Sequence, residues 1–209
     1  LLKKQSGTTT DLMFDYSLFT DKRDRTFMPT SGNLTSFYQE LPLYAESVYV
    51  KNSFSSSHYK EFSDDMIGAL KFTATAINGL NDDDVKISKR LGLSNRKLRG
   101  FESGKVGPKD GKDYIGGNYA TAINLEANFP NFFPEKSNAE IGLFLDAGNV
   151  WGVDYSDEID ESNEIRSTIG LNTSWISPAG PMSFIFSKNI SKADTDVDQS
   201  FNFRLGTTF

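Results

Sequence analysis

Tyr119-Ala120-Thr121-Ala122-Ile123-Asn124-Leu125-Glu126-Ala127-Asn128-Phe129 is the stretch that decides the fold. On a strand, successive side chains point to opposite faces. Tyr119, Thr121, Ile123, Leu125, Ala127 and Phe129 then share one greasy face. Asn118, Ala120, Ala122, Asn124, Glu126 and Asn128 share a polar one. The same period of two runs through 139–151, where Ile141, Leu143 and Leu145 stand opposite Glu140, Phe144 and Asp146. It returns at 165–175 and in Phe201-Asn202-Phe203-Arg204-Leu205. Near the start, Leu12, Phe14, Tyr16 and Leu18 alternate with Asp11, Met13, Asp15 and Ser17.

Working outward, the pattern predicts an all-β, antiparallel chain with strands over 10–20, 33–41, 45–55, 66–77, 117–129, 139–151, 165–176, 182–190 and 198–209. Most run roughly 9–12 residues, near the length a tilted strand needs to cross a bilayer. The connections differ in kind. Residues 28–32, 131–137 and 177–181 are compact and rich in Pro, Gly and Ser; 78–116, 152–164 and 190–197 are longer and polar. Short turns at one end and long loops at the other is the pattern of a transmembrane β-barrel. A soluble β-sandwich shows the same alternation, with its apolar faces turned inward. Rings at strand ends (Tyr119, Phe129, Trp151, Trp175, Phe201, Phe209) favour the barrel, since aromatics gather at headgroup level.

Composition narrows the function classes. Twenty-two Lys and Arg against 28 Asp and Glu give a net charge of -6, the wrong sign for a nucleic-acid partner. There is no Cys and one His, His58, so thiolate and multi-His metal sites cannot form. Asp194-x-Asp196-x-Asp198 opens like a calcium loop but has Gln199 where Gly is required and Leu205 where the bidentate Glu belongs. Asp154 and the acidic residues up to Glu164 lack ligand spacing and read as a solvated loop face. No phosphate loop or nucleophile elbow occurs. The expectation is a non-enzyme without cofactor or metal. The opening Leu1-Leu2-Lys3-Lys4 reads as the start of an internal or C-terminal piece of a longer protein.

Five segments carry a resemblance. They are Lys97-Leu98-Arg99-Gly100-Phe101, the turn Asp24–Gly32, Phe144-Leu145-Asp146-Ala147-Gly148-Asn149-Val150-Trp151, Ser177-Pro178-Ala179-Gly180-Pro181, and the terminal Phe201–Phe209. In this order they resemble the C-terminal barrel of the BamA family of outer-membrane protein assembly factors. The resemblance implies a bacterial outer-membrane location and a sixteen-stranded barrel, of which this chain holds about nine C-terminal strands. On that resemblance the N-terminal strands and the periplasmic POTRA domains are expected to be missing from this chain. It also implies a core role in inserting β-barrel clients by strand templating at a lateral seam. The implied partners are unfolded outer-membrane protein clients, Bam lipoproteins met through POTRA domains, and outer-membrane lipids and lipopolysaccharide. A TamA-like or two-partner secretion transporter is the alternative. A passive channel is a further one, and it requires a lumen free of a plugging loop.

The resemblance folds loop 78–116 back into the lumen with Arg99, Gly100 and Phe101 at its tip. Alternation adds the partners. Glu126 and Asp146 lie on the polar faces of the next two strands. If that face lines the lumen, a guanidinium fork there meets two carboxylates. Gly100 is expected to permit a turn that a Cβ would obstruct, and Phe101 to pack on the inner wall. Phe201, Phe203, Leu205, Gly206 and Phe209 make up the expected seam strand, with Gly206 as its weak point.

Overall fold

The computed structural model describes residues 10–46, 48–134, 137–154, 156, 159, 163–178 and 180–206. Eight long strands form in chain order: β1 (Leu12–Asp21), β2 (Gly32–Tyr44), β3 (Tyr49–Ser63), β4 (Met66–Gly79), then after a long loop β8 (Tyr119–Phe129), β9 (Ala139–Trp151), β10 (Arg166–Ser177) and β11 (Gly180–Ser191). The loop carries three two-residue strands, β5 (Gly100–Phe101), β6 (Lys109–Asp110) and β7 (Asp113–Tyr114). The chain finishes with β12 (Asp198–Gln199) and β13 (Phe201–Leu205). Among the described residues no helix is long and apolar enough to cross a membrane. The crossings are made by strands.

One antiparallel sheet runs β1-β2-β3-β4-β8-β9-β10-β11-β13, each strand paired with its neighbours in sequence apart from the loop insertions. It is open, with β1 and β13 as its edges. The turns after β1, β3, β8 and β10 lie at one end; the long loops after β4, β9 and β11 lie at the other.

The two faces are inverted relative to a soluble protein. Ile123 and Leu125 of β8, Leu143 and Leu145 of β9, and Ile169 and Leu171 of β10 are all more than 40% exposed. Their alternates Ala122, Asn124, Phe144, Asp146 and Thr168 are buried. Among the described residues no second sheet covers the greasy face, so the sandwich reading fails and the barrel wall stands. Alternation puts apolar side chains towards lipid and polar ones inward.

Three strands differ from expectation. Strands β2 and β3 are longer than the apolar alternation indicates. Their Ser-rich middle is tied by hydroxyl pairs, Ser36 to Ser55 at 2.7 Å and Ser53 to Thr75 at 2.8 Å, which replace apolar cross-strand contacts. The terminal strand, expected as one piece over 198–209, is divided. Asp198 and Gln199 pair with Phe101 and Gly100 of the loop, whereas Phe201–Leu205 pairs with β11. Phe209 lies outside the described residues.

The apolar core sits inside the curve of the sheet. Val85, Leu91, Leu93, Leu98, Phe101 and Val106 of the loop pack on Tyr49, Ile77, Ala120, Ala122 and Val150 of the wall. Burying each large apolar side chain is worth about 1.5–3 kcal/mol. Those six loop residues therefore hold the loop in the lumen as a plug.

Candidate functional site

Arg99 stands at the inward end of the plug, 6% exposed. Its Nε donates to Asp146 Oδ2 at 2.7 Å and its Nη2 to Asp146 Oδ1 at 2.6 Å, a bidentate fork. Nη2 also lies 2.9 Å from Glu126 Oε1. Strand pitch explains the convergence. Asn124 pairs with Asp146 across β8 and β9, so Glu126 is the next inward residue along the neighbouring strand. Burial opposes the charge on Arg99, but Asp146 and Glu126 outweigh it and hold the guanidinium above its ordinary range.

Three further groups complete this site. Lys71 on β4 donates to Glu126 Oε2 at 2.9 Å, so Glu126 bridges two cations. The Phe144 ring lies 3.7 Å from the Arg99 guanidinium carbon, in cation–π geometry. Asn124 Nδ2 donates to the backbone oxygen of Lys97 at 2.9 Å and fixes the loop just before the arginine. Sequence reasoning missed all three. The signal was present: Lys71 and Phe144 both fall on the polar faces of their strands, where a cation and a ring stand out.

Gly100 has φ +90, a left-handed conformation that disfavours side chains. An added Cβ would collide with Asn189 Oδ1 and come within 2.7 Å of Thr168 Oγ1. Phe101 is 1% exposed and belongs to the inner core. The tip and the terminal strand are thus one structure. Glu102 N–H donates to Val197 O at 2.9 Å. Asn189 Nδ2 donates both to Gly100 O at 3.1 Å and to Asp198 Oδ1 at 2.8 Å. Arg204, inward on β13, donates to Asn95 O at 2.6 Å.

Phe201, Phe203 and Leu205 sit on the opposite, outward face of β13, 47–58% exposed. Gly206 follows them at φ +130 and donates its N–H to Pro181 O at 3.0 Å. The structure therefore separates the expected site residues into an inward cluster around Arg99 and an outward row on the terminal strand.

The acidic loops are not simply solvated faces. The Asp196 side chain is wholly buried and takes a bidentate contact from Arg166 at 2.9 and 3.0 Å. Asp154 pairs with Arg90 and accepts from Asn118 Nδ2 at 2.9 Å. Arg90 of the long loop and Arg166 at the start of β10, both distant in sequence, supply the charges that the acidic runs lack locally.

A model of the Omp85 superfamily domain matches residues 2–209. The chain belongs to the Omp85 superfamily. Among Omp85 relatives, the outer membrane protein assembly factor BamA of Neisseria meningitidis is 34% identical over 54% of this chain and 17% of its own length. BamA of Neorickettsia risticii is 25% identical across 100% of this chain and 29% of its own. A crystal structure of BamA from Haemophilus ducreyi lacking POTRA domains 1–3 superposes with a TM-score of 0.85 at 25% identity, covering 93% of this chain and 42% of that one. The chain spans less than a third of these two BamA sequences. This Omp85 chain is part of a BamA-type outer-membrane barrel, located in the bacterial outer membrane.

Proposed function

We propose that the chain supplies the plugged wall and seam strand of an outer-membrane protein assembly factor, which inserts β-barrel clients by strand templating. The observation that carries the reading is the pairing of the loop tip, Gly100–Phe101, with Gln199 and Asp198 at the head of the terminal strand. The tip is fixed to the wall through Arg99, so the wall sets the position of the edge strand. Family membership supports the assembly role, since the BamA relatives are named for it.

The driving force follows from backbone hydrogen bonding. An unpaired strand entering hydrocarbon leaves N–H and C=O groups bare, at several kcal/mol each. The β13 edge offers complementary groups to a client strand, which is β-augmentation. Among the described residues, five of β13 pair with β11, and Gly206 follows them at φ +130. A strand bent at such a glycine is easier to release than a straight one. A loop whose residues 85–106 pack on the inner wall is the opposite of what a passive channel requires.

Clients, and lipoprotein partners reached through POTRA domains, belong to this reading. The test replaces Gly206 with Val in the full-length protein, in cells that depend on it. A β-branched residue at φ +130 is strained. Client insertion is expected to fall while the protein itself stays folded in the membrane. Unchanged insertion contradicts the seam.

A further inference from the structure

On the outward face, β3, β4, β8 and β9 meet at a break in the row of large side chains. Cross-strand register places Lys60, Gly68, Ala127 and Leu143 in one outward row. The row beside it reads His58, Leu70, Leu125 and Leu145. The first row has a gap at Gly68 and Ala127, where neighbouring positions carry large side chains. The gap opens a groove of about 490 Å³ walled by Phe62, Leu70, Leu125, Leu143, Leu145 and Ile169. The Phe62 ring leans over Gly68, where an added Cβ would collide with it.

A cation sits at one end of this groove. Lys60 Nζ lies 5.5 Å from the centroid of the Phe62 ring. Among the described residues no carboxylate comes within ion-pair distance of it, and His58 is its exposed neighbour two positions back. Lys60 stands three residues before the end of β3, on the short-turn side of the wall. A lysine on the lipid face near a strand end carries its charge to headgroup level. The groove leaves Lys60 along rows that pass Leu125 and Leu145, which lie further from the short turns on their own strands. Apolar channel and cation are thus ordered as the acyl chain and phosphate of a lipid are.

We propose that this groove seats one anionic phospholipid of the leaflet on the short-turn side. One acyl chain lies over Gly68 and Ala127, and the phosphate rests on the Lys60 ammonium. Ordinary annular lipid covers the rest of the wall without preference. The inference rests on the membrane-spanning fold and not on the assembly activity.

The test uses the full-length protein in phosphatidylcholine nanodiscs without client. A small fraction of phosphatidylglycerol carrying a photoreactive acyl chain is added, and cross-links are mapped by mass spectrometry. Cross-links at Leu70, Leu125 and Ala127 are expected to exceed those at Phe184 and Phe186 by about fivefold, the factor one near-surface lysine supplies. Lys60→Gln is expected to abolish the preference over an equally labelled phosphatidylcholine. Ala127→Phe fills the groove without touching the charge and is expected to remove the enrichment while the barrel still runs as a folded form. Uniform labelling overturns the proposal. So does an unaltered preference in Lys60→Gln, or a groove cross-linked to a second protein chain instead of lipid. Because client insertion is not read, none of these results bears on the assembly role.

Discussion

Asp146 grips Arg99 by main chain and side chain together. Its Oδ2 accepts from the Arg99 backbone N–H at 3.0 Å as well as from Nε at 2.7 Å. Glu126 holds only the guanidinium and keeps Lys71 as a second partner. The two carboxylates are therefore unequal. Arg99→Ala strands Asp146, whose side chain is 0% exposed, whereas Glu126→Gln leaves the Arg99–Asp146 fork intact.

Breaking a buried pair from one side costs about 3–5 kcal/mol. Arg99→Ala is expected to lower the temperature at which the folded barrel loses its compact gel mobility, and Glu126→Gln to lower it less. Adding Asp146→Asn to Arg99→Ala is expected to recover part of the loss. A double-mutant cycle with strictly additive effects contradicts the arrangement. Because six buried apolar residues also anchor the plug, Arg99→Ala should shift the tip rather than release the whole loop.

Gly100→Ala tests the tip by sterics alone. The new methyl meets Asn189 and Thr168 on a backbone at φ +90. Faster amide exchange is expected at Glu102 and at Gln199 on the terminal strand, with the wall strands unchanged. Exchange confined to the loop contradicts the coupling between tip and strand.

Asp24 in the turn after β1 supplies a pH dependence. Its Oδ1 accepts from the N–H groups of Thr30 and Ser31 at 2.9 and 3.1 Å, and its Oδ2 from the Thr30 hydroxyl at 2.8 Å. The backbone N–H of Ser31 leads in holding the carboxyl down at about 2. An unfolded aspartate titrates near ~3.9. A depressed folded value means the turn's contribution is complete above about pH 4 and is lost as pH falls towards 2. Amide exchange at Thr30 and Ser31 is expected to accelerate across that window. Asp24→Asn is expected to remove the dependence.

The wall was legible because lipid and lumen impose opposite demands on alternate residues, and 117–129 and 139–151 record both. The Arg99 partners followed from the same alternation once the polar face was read as the lumen. Two things were hidden. The long β2 and β3 rest on serine hydroxyl pairs, which have no apolar signature. The break at Ser200 depends on Asp198 and Gln199 preferring the loop tip, about a hundred residues earlier in the chain, to a continuous ladder with β11. Local pattern carries no information about such a partner. The buried Arg166–Asp196 pair was concealed likewise, since the two residues stand 30 apart in the chain and no local pattern joins them.

Spin labels placed singly at residues 121–127 of the full-length protein in bilayers test the central claim most directly, by comparing collisions with oxygen and with a water-soluble nickel complex. Labels at Ile123 and Leu125 should show high oxygen and low nickel accessibility, while those at Ala122, Asn124 and Glu126 should be immobilised and shielded from oxygen. Equal nickel accessibility on both faces, or greasy positions shielded from both reagents, would contradict a strand that turns one face to lipid and the other to a plugged lumen.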